Sequence, residues 1–337
     1  MGIKFGDLIS RKQISFESLK GKRIAVDFSN TAYQFLSSIR QPDGTPLMDS
    51  KGKITSVYVG IMTRFTNLME KDIHLVAVFD GKPPILKIHE QEERESRKKL
   101  AEKKLKEAKK ERDDELILRY SKQTSRLTEE IVTGSRELIK ALGIPVIDSP
   151  SESDAQMGYM SEKGDVWACA SSDYDCLIHD CQRLIKNLTL SPRKKLPSGV
   201  YVKSVPEMIE LQEALKNLGI NKNQLLAMAI LIGTDYNEGV KGIGPKTAIK
   251  LVKQYNNFDE LFKEVKAEFD WKQIYAVFKS MPIMKNYQLK WTSPDKEKIM
   301  KILIDKHEFN QERVEKNLEK LFKTNKKQEQ SSLDKFS

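Results

Sequence analysis

Short apolar runs that end in an acidic residue recur along the first half of the chain. The first is Arg23–Asp27 and the second spans 74–80, and both have the length and apolar character of buried strands. Between them, apolar residues recur at helical spacing from 57 to 68, which predicts a crossover helix. Further strand candidates lie at 144–147, 166–170 and 183–188. This alternation predicts an α/β fold with a central, mostly parallel sheet flanked by helices.

The segment from 87 to 126 differs sharply in composition. Charged residues fill 24 of its 40 positions, and Leu100 and Leu105 are the only large apolar residues between Ile88 and Leu116. Such residues favour a helix, but they offer no apolar face to bury. The segment is therefore predicted to be either a solvated surface helix or a mobile element that orders on a partner. Its position directly after an acidic strand end favours a functional role.

The chain after Pro206 is predicted to be nearly all helical. A glycine-rich element at 239–246 interrupts this region, shortly after the apolar run at 225–233. From about residue 323 the sequence is polar, which predicts a flexible tail.

Lysine and arginine exceed aspartate and glutamate by ten in this chain of 337 residues. This excess favours a polyanionic partner or an acidic membrane surface. The longest apolar run is too short to span a bilayer and the N-terminus lacks a signal-peptide core, so we expect an intracellular protein without a membrane partner. Cys176, His179 and Cys181 are close enough in sequence to suggest zinc ligands. Because no fourth ligand accompanies them, we interpret them as structural residues.

Seven acidic residues fall at the ends of predicted strands or the ends of predicted helices. They are Asp27, Asp80, Glu152, Asp154, Asp173, Asp175 and Asp235. Side chains at the carboxyl ends of parallel strands converge, so we expect these acids to lie close together. Like charges at such a site need cations, and oxygen ligands suit Mg²⁺ or Mn²⁺. Any one acid alone could be a helix cap or a solvated residue, but five segments with the same pattern favour two-metal phosphodiester hydrolysis.

Four motifs together resemble a known family. They are Val26-Asp27 followed by Tyr-Gln-Phe-Leu at 33–36, Val-Phe-Asp-Gly-Lys-Pro-Pro at 78–84, Ala-Ser-Ser-Asp-Tyr-Asp at 170–175, and Ile-Gly-Thr-Asp-Tyr-Asn at 232–237. These motifs resemble the flap endonuclease family of structure-specific 5′ nucleases, most of all its archaeal members, over residues 1 to about 321. The resemblance implies a PIN-like 5′ nuclease fold with a helical arch and a helix–two-turn–helix DNA-binding region.

The resemblance also implies a domain organisation. A single nuclease domain would span 1–322, and 323–337 would be a flexible tail. Within the domain we expect an N-terminal nuclease region at about 1–100, the arch at about 87–126, and an internal nuclease region at about 127–260 that includes the helix–two-turn–helix at about 222–256.

The acidic residues match the two metal sites of the family. By resemblance, Asp27, Asp80, Glu152 and Asp154 would serve one metal, and Asp173, Asp175 and Asp235 the other. One motif departs from the family pattern, because the usual Glu-Gly-Glu-Ala is Glu-Ser-Asp-Ala at 152–155. Aspartate is one methylene shorter, so the first metal is expected to sit differently or to bind less tightly.

The resemblance assigns further residues to DNA. Lys87 and Arg94 would face the scissile phosphate and offset its charge; the alternative is two more solvated cations. Tyr33 would stack on an unpaired base; the alternative is a buried structural tyrosine. The other residues expected at DNA are Arg40 and Arg64 at the duplex, Thr55 at the 3′ flap pocket, and Glu152, Gly233 and Asp235 in the metal-binding motifs.

The glycine-rich element resembles the family's duplex-binding hairpin. Gly242 and Gly244 would let the backbone approach a phosphate, and Pro245 suits the first turn of a helix whose free N–H groups bind anions. Lys246 would add a cation. In the family this unit holds a monovalent cation such as K⁺ and grips the DNA backbone rather than its bases.

The C-terminal residues resemble a sliding-clamp binding peptide. Gln330, Leu333 and Phe336 have the spacing of the clamp motif. Ser337 stands where family members carry a second aromatic residue, so a reduced affinity is expected. The expected partners are 5′ flap DNA and a PCNA-type clamp, and the protein itself is expected to be a monomer.

The combined expectation is a Mg²⁺-dependent flap endonuclease and 5′–3′ exonuclease of DNA replication (Okazaki fragment maturation) and repair, located in the cytoplasm at the nucleoid if the chain is archaeal. One alternative is a related nuclease that acts mainly as an exonuclease or on bubbles; the compact length, the complete arch and the clamp-like tail disfavour it. A second is a non-catalytic DNA-junction binding protein, which the seven carboxylates disfavour. A third is a toxin-type ribonuclease, which the hairpin and chain length disfavour.

Overall fold

The computed structural model describes residue 5 and residues 8–190, 193–195 and 201–333, with side chains described at residues 5, 8–190 and 204–323. The strands are β1 Lys12–Gln13, β2 Arg23–Asp27, β3 His74–Phe79, β4 Val146–Asp148, β5 Ala168–Ala170, β6 Arg183–Lys186, β7 Arg193–Lys195, β8 Tyr201–Lys203 and β9 Glu207–Glu210. Seven of them form one sheet in the order β1-β9-β6-β5-β2-β3-β4, and β7 pairs with β8 separately. All pairs among β2 to β6 are parallel, which confirms the predicted sheet.

Helices surround this sheet. They are α1 Phe28–Ser38, α2 Ser56–Gly60, α3 Thr66–Glu70, α4 Ile88–Glu111, α5 Asp114–Gln123, α6 Glu129–Ala141, α7 Ser153–Glu162, α8 Asp175–Ile178, α9 Leu211–Leu218, α10 Lys222–Ile232, α11 Pro245–Gln254, α12 Phe258–Glu264, α13 Trp271–Lys279, α14 Lys296–Met300 and α15 Gln311–Leu333. The crossover helix predicted at 57–68 is present as α2 and α3 joined by a π-helical turn, Ile61–Phe65. Among the described residues, no helix combines the length and apolar character of a membrane span.

The two faces of the sheet are covered by two separate cores. On β2, Ile24 and Val26 belong to one core and Ala25 to the other, as the two-residue period of a strand requires. One core includes residues of α7, α10 and α11, and the other includes residues of α1, α6 and α15. Burial on both faces explains why the strands of this sheet are continuous apolar runs.

The prediction of a nearly all-helical region after Pro206 was wrong for Glu207–Glu210, which form β9. This strand is antiparallel to both β6 and β1. Its Glu-Met-Ile-Glu sequence contains good helix formers, but pairing with two strands that are distant in sequence decides its conformation. At the C-terminus, α15 continues to Leu333 where a flexible tail was predicted from about residue 323. The Lys, Gln and Glu residues of this stretch favour helix.

The charged segment forms a helical arch of α4 and α5, which pack against each other. Ala101 and Ala108 are the only buried residues of α4, as expected for a helix without an apolar face. Arg126, which follows α5, is bonded to α4: it donates two hydrogen bonds of 2.8 Å to Glu95 and one of 3.0 Å to Glu102. The segment is therefore a pair of largely solvated helices in which ion pairs supply much of the contact.

Candidate active site

One cavity of about 420 Å³ at the carboxyl ends of β2 and β3 brings the seven predicted acids together. Its carboxylates are those of Asp27, Asp80, Glu152, Asp154, Asp173, Asp175 and Asp235. They converge because parallel strands end at the same edge of the sheet and α7, α8 and α10 begin or end there. The predicted grouping of these side chains is confirmed.

Asp27 is the most enclosed of these acids, with 5% of its surface exposed. It caps α1 by accepting a hydrogen bond from the Asn30 backbone at 3.0 Å, and it accepts another from Ser171 Oγ at 3.1 Å. Burial and the nearby Asp80 carboxylate raise the pKa of Asp27 to about 8. Burial, together with the charges of Asp27 and Asp175, likewise raises the pKa of Asp154. A neighbouring cation would therefore favour the ionised form of both carboxylates.

Other hydrogen bonds tie the acids to their surroundings. The Asn30 side chain donates to Asp173 Oδ2 at 3.0 Å, so one residue of α1 contacts two of the acids. Asp80 Oδ1 accepts from the Ser153 backbone at the start of α7, at 2.8 Å. Asn30 and Ser171 were not predicted from the sequence, although Asn30 is the third residue of α1, where a helix N–H is commonly capped.

Two cations of the arch enter the cavity and pair with its acids. Lys87 Nζ contacts Glu152 and lies 3.0 Å from Asp235 Oδ2, and Arg94 Nη2 lies 3.0 Å from the same oxygen. Burial alone would lower the pKa of Lys87, but Glu152 and Asp235 outweigh it and the pKa is raised. Burial would raise the pKa of Asp235, but Lys87 and Arg94 lower it. Lys87 is therefore not one more solvated lysine.

Tyr236 is a further residue of this network that sequence analysis missed. Its hydroxyl donates to Glu152 Oε2, and burial next to that carboxylate raises the pKa of Tyr236. The signal was present in the sequence, because Tyr236 directly follows Asp235. It fixes the Glu152 oxygen that Lys87 does not contact.

The three cysteines and His179 lie behind the cavity rather than in it. Burial and Asp154 raise the pKa of the Cys176 thiol, so the proton stays on its sulfur at neutral pH. Burial lowers the pKa of His179 to about 4, which leaves its imidazole neutral. Cys176, His179 and Cys181 are all buried, and no zinc cluster involving them occurs among the residues that the structure describes.

The donor set of the cavity fits hard divalent cations. The acidic side chains that could act as metal ligands are all carboxylates, and neither His nor Cys lines the cavity. Within the described ranges, three ligand atoms within 4.8 Å of one another occur only at the exposed residues His89, Glu93 and Glu238. Among the described residues, no three carboxylates of the cavity have ligand atoms this close together, so some of them would reach an ion through bound water.

Comparison with known proteins identifies the family. The XPG N-terminal domain model matches residues 1–101 and the XPG I-region model matches 143–235. Flap endonuclease 1 of Pyrococcus abyssi is 46% identical over 337 residues, covering 99% of this chain and 98% of that protein. Flap endonuclease 1 of Thermococcus onnurineus is 47% identical with the same coverage. The chain belongs to the flap endonuclease family. It is accordingly a nuclease that hydrolyses DNA, as the motifs predicted.

Solved structures confirm the fold of this family member. Flap endonuclease-1 from Methanococcus jannaschii superimposes with a TM-score of 0.76 at 43% identity, covering 96% of this chain and 98% of that one. The catalytic core of Rad2 in complex with DNA substrate gives a TM-score of 0.71 at 21% identity, covering 95% of this chain and 100% of that one. The second match bears on the fold alone.

The residues expected at DNA occupy different places in this flap endonuclease family member. Tyr33 lines the acidic cavity and is 41% exposed, so the alternative of a buried structural tyrosine was wrong. Thr55 is buried and lines a second cavity of about 330 Å³ together with His307 and Phe309. Arg64 is half-buried on the π-helical turn between α2 and α3.

Arg40 makes contacts within the protein. Its Nη1 donates to the Gly44 carbonyl at 2.6 Å and to Ser121 Oγ at 2.7 Å, and its Nη2 donates to Ser125 Oγ. Ser121 belongs to α5, so Arg40 connects α1 and the loop after it to the base of the arch. This role was not apparent from the sequence.

The glycine-rich hairpin lies between α10 and α11, as predicted. Gly242 adopts φ +83°, which favours glycine, and Gly244 precedes Pro245 at the start of α11. A side chain at Gly242 or Gly244 would meet open space rather than protein atoms. Internal packing therefore does not explain Gly244, and its small size leaves room for an external group. Lys246 is exposed on the first turn of α11.

Gly233 has a different reason to be glycine. It ends α10 with φ +116°, and an added Cβ would lie 2.9 Å from the Glu238 carbonyl. The turn that carries Asp235 into the cavity thus depends on a residue without a side chain.

Proposed function

We propose that this family member cleaves DNA at 5′ flap junctions and acts as a 5′–3′ exonuclease, using two Mg²⁺ ions held by the seven carboxylates. The observation that carries the proposal is the convergence of acids from five chain segments on one cavity that also receives Lys87 and Arg94. Bound divalent ions would activate a water and stabilise the leaving oxygen. Asp27, Asp80, Glu152 and Asp154 would hold one ion, and Asp173, Asp175 and Asp235 the other; Mn²⁺ could replace Mg²⁺. Such a reaction serves DNA replication and repair.

In this proposal Lys87 and Arg94 have different partners before and after DNA binds: carboxylates first, and then the scissile phosphate. Without DNA, Lys87 pairs with both Glu152 and Asp235. When divalent ions and a phosphodiester enter, Lys87 and Arg94 would exchange these carboxylates for the scissile phosphate and offset its developing charge. Tyr33, exposed at the same cavity, would stack on the unpaired base next to that phosphate. The arch would thus supply charge only where a substrate has entered.

Cleavage of a labelled double-flap duplex tests the proposed activity. With Mg²⁺ we expect cutting next to the junction, and with EDTA we expect none. A matched single strand is the control for structure specificity and should be cut far more slowly. Tight binding of the flap duplex without any cleavage in Mg²⁺ or Mn²⁺ would instead favour the non-catalytic junction-binding protein.

The hairpin between α10 and α11 would grip duplex DNA away from the cut. Gly242 and Gly244 leave the backbone open to a phosphate. A monovalent cation such as K⁺ could bridge this backbone and the phosphate, and Lys246 would pair with a phosphate oxygen. Arg40 and Arg64 are proposed as weaker duplex contacts, and Arg40 would first have to release Ser121 and Gly44. The cavity at Thr55 would receive the 3′ flap.

Replacing Lys246 by Ala should weaken binding to flap and plain duplex about equally. The log–log salt dependence of the binding constant should flatten by roughly 0.9, the contribution of one phosphate contact. Titration by fluorescence anisotropy at several salt concentrations measures both effects. Lys140→Ala, an exposed lysine on α6, is the control and should leave the slope unchanged. A loss confined to one DNA sequence would contradict a backbone contact.

A PCNA-type sliding clamp is proposed as the partner of the C-terminus, and the enzyme is proposed to be a monomer. Gln330 and Leu333 lie in the last turns of α15, and Phe336 lies outside the described residues. Among the residues of α15 whose side chains are described, Val314, Leu318 and Leu321 are buried in the core and Phe322 packs against it, all well before this peptide.

Deleting residues 330–337 should leave intrinsic flap cleavage unchanged, since the buried residues of α15 remain. Stimulation by the clamp should be lost, because Leu333 and Phe336 are the large apolar residues of the peptide. Ser337→Phe should tighten clamp binding by roughly 1–2 kcal/mol through added aromatic area. Calorimetry on the three forms measures these affinities. A truncated chain that binds the clamp as tightly as the full chain would rule the peptide out.

A further inference from the structure

Cys176 is a fully buried residue of α8 whose thiol contacts Asp154, one of the acids that line the cavity. Its Sγ donates a hydrogen bond to Asp154 Oδ1 at 2.7 Å. Asp154 lines the cavity, and Cys176 directly follows Asp175, which lines it as well. Cys176 is thus linked to two of the proposed metal ligands: Asp175 is its neighbour in sequence and Asp154 is its hydrogen-bond partner.

The two other cysteines of the chain have different partners. Cys169 donates to the Met157 carbonyl at 3.4 Å, and Cys181 donates to the Arg183 carbonyl at 3.0 Å. Both are fully buried in the same core as Cys176. All three are equally well packed, so burial alone does not distinguish them. Cys176 is the one whose hydrogen bond reaches a carboxylate.

The length of the Asp154 side chain makes its orientation important. The family pattern has glutamate at this position, and aspartate holds its carboxylate one methylene closer to α7. A shorter side chain has fewer rotatable bonds with which to reach a cation. A donor that binds Oδ1 from the side away from the cavity would orient the carboxylate and leave Oδ2 available to a cation in the cavity. Partners of this kind tune metal affinity in other proteins.

We propose that Cys176 is a positioning residue for the divalent-cation site: its S–H···Oδ1 hydrogen bond orients Asp154 toward the ion. This inference rests on the proposed function, because it takes Asp154 to be a metal ligand. Cys176 itself does not line the cavity. It acts through Asp154, so its loss should change cation affinity more than the rate at saturating cation.

Three variants of the full chain test the proposal. Cys176→Ala removes the donor, Cys176→Ser keeps a donor of similar size, and Cys181→Ala removes a buried thiol that donates to a backbone carbonyl. Mn²⁺ binding in the absence of DNA is measured by calorimetry and electron paramagnetic resonance, and half-saturating Mg²⁺ is measured in flap cleavage. Thermal unfolding of each variant accounts for changes in stability.

We expect Cys176→Ala to weaken Mn²⁺ binding about 10- to 100-fold, and Cys176→Ser and Cys181→Ala to stay near the unmodified chain. Unchanged Mn²⁺ affinity in Cys176→Ala would overturn the proposal. Equal weakening in Cys176→Ser would overturn it too, because the hydrogen bond would not be the cause, as would equal weakening in Cys181→Ala. Because Mn²⁺ binding is measured without DNA, a failure of the unmodified chain to cut flaps would contradict the proposed function separately.

Discussion

Flap cleavage should fall about a thousandfold or more in Asp175→Ala, while flap DNA binding stays close to that of the unmodified chain. Asp175 lines the acidic cavity at the start of α8 and is proposed to hold the second ion. Losing that ion removes several kcal/mol of charge stabilisation from the transition state, and each 1.4 kcal/mol corresponds to about a tenfold change in rate. Binding depends mainly on cations that contact phosphates, and these remain.

Single-turnover cleavage and equilibrium binding in Ca²⁺ separate the two effects. Asp148→Ala is the matched control, because Asp148 also ends a strand of the sheet but is exposed and pairs with Arg136 outside the cavity. It should cleave normally. Cleavage by Asp175→Ala within tenfold of the unmodified chain would remove Asp175 from the second metal site.

Lys87→Ala should lower the single-turnover rate about 100- to 1000-fold at saturating Mg²⁺, the usual cost of losing one donor to a developing oxyanion. The half-saturating Mg²⁺ concentration should not rise. Lys87 pairs with Glu152 and Asp235 in the free protein, so its removal takes away a competitor of the metal ions. A lower rate with an equal or lower half-saturating Mg²⁺ concentration would show that Lys87 acts on the reaction itself. A residue needed to assemble the metal site would instead raise that concentration when removed.

Lys82→Ala provides the control for Lys87, since Lys82 is exposed five residues earlier and does not line the cavity. Its rate should be unchanged. A rate for Lys87→Ala within threefold of the unmodified chain, or a large increase in the Mg²⁺ requirement, would contradict the proposed role.

Local patterns in the sequence predicted the parallel strands and the acids that follow them. The runs before Asp27 and Asp80 are buried on both faces, so their apolar character is visible without knowledge of the fold. Glu207–Glu210 was missed because an antiparallel strand of only four residues depends on partners more than 20 residues away, β6 and β1. Pairing of this kind leaves little trace in the local sequence.

Contacts between distant side chains explain the rest of what the sequence did not reveal. Ser171 and Cys176 support Asp27 and Asp154 across the sheet and between helices, and neither residue type is distinctive in a sequence. Arg40 was expected at the duplex, but whether an arginine faces solvent or the base of the arch depends on where α5 lies. The proposed clamp peptide rests on the spacing of its residues alone.

The weak attachment of α4 has a consequence for how the domain responds to heat and salt. Two buried alanines, the Arg94–Asp235 pair at the cavity and a few exposed ion pairs secure this helix. Exposed ion pairs each contribute roughly 0–1 kcal/mol and weaken as salt screens them. Opening of α4 would therefore cost far less free energy than unfolding of the sheet. The nuclease has one rigid part, with its acids fixed at the strand ends, and one part whose local melting leaves that rigid part intact. A global melting temperature would report on the sheet and say nothing about the arch.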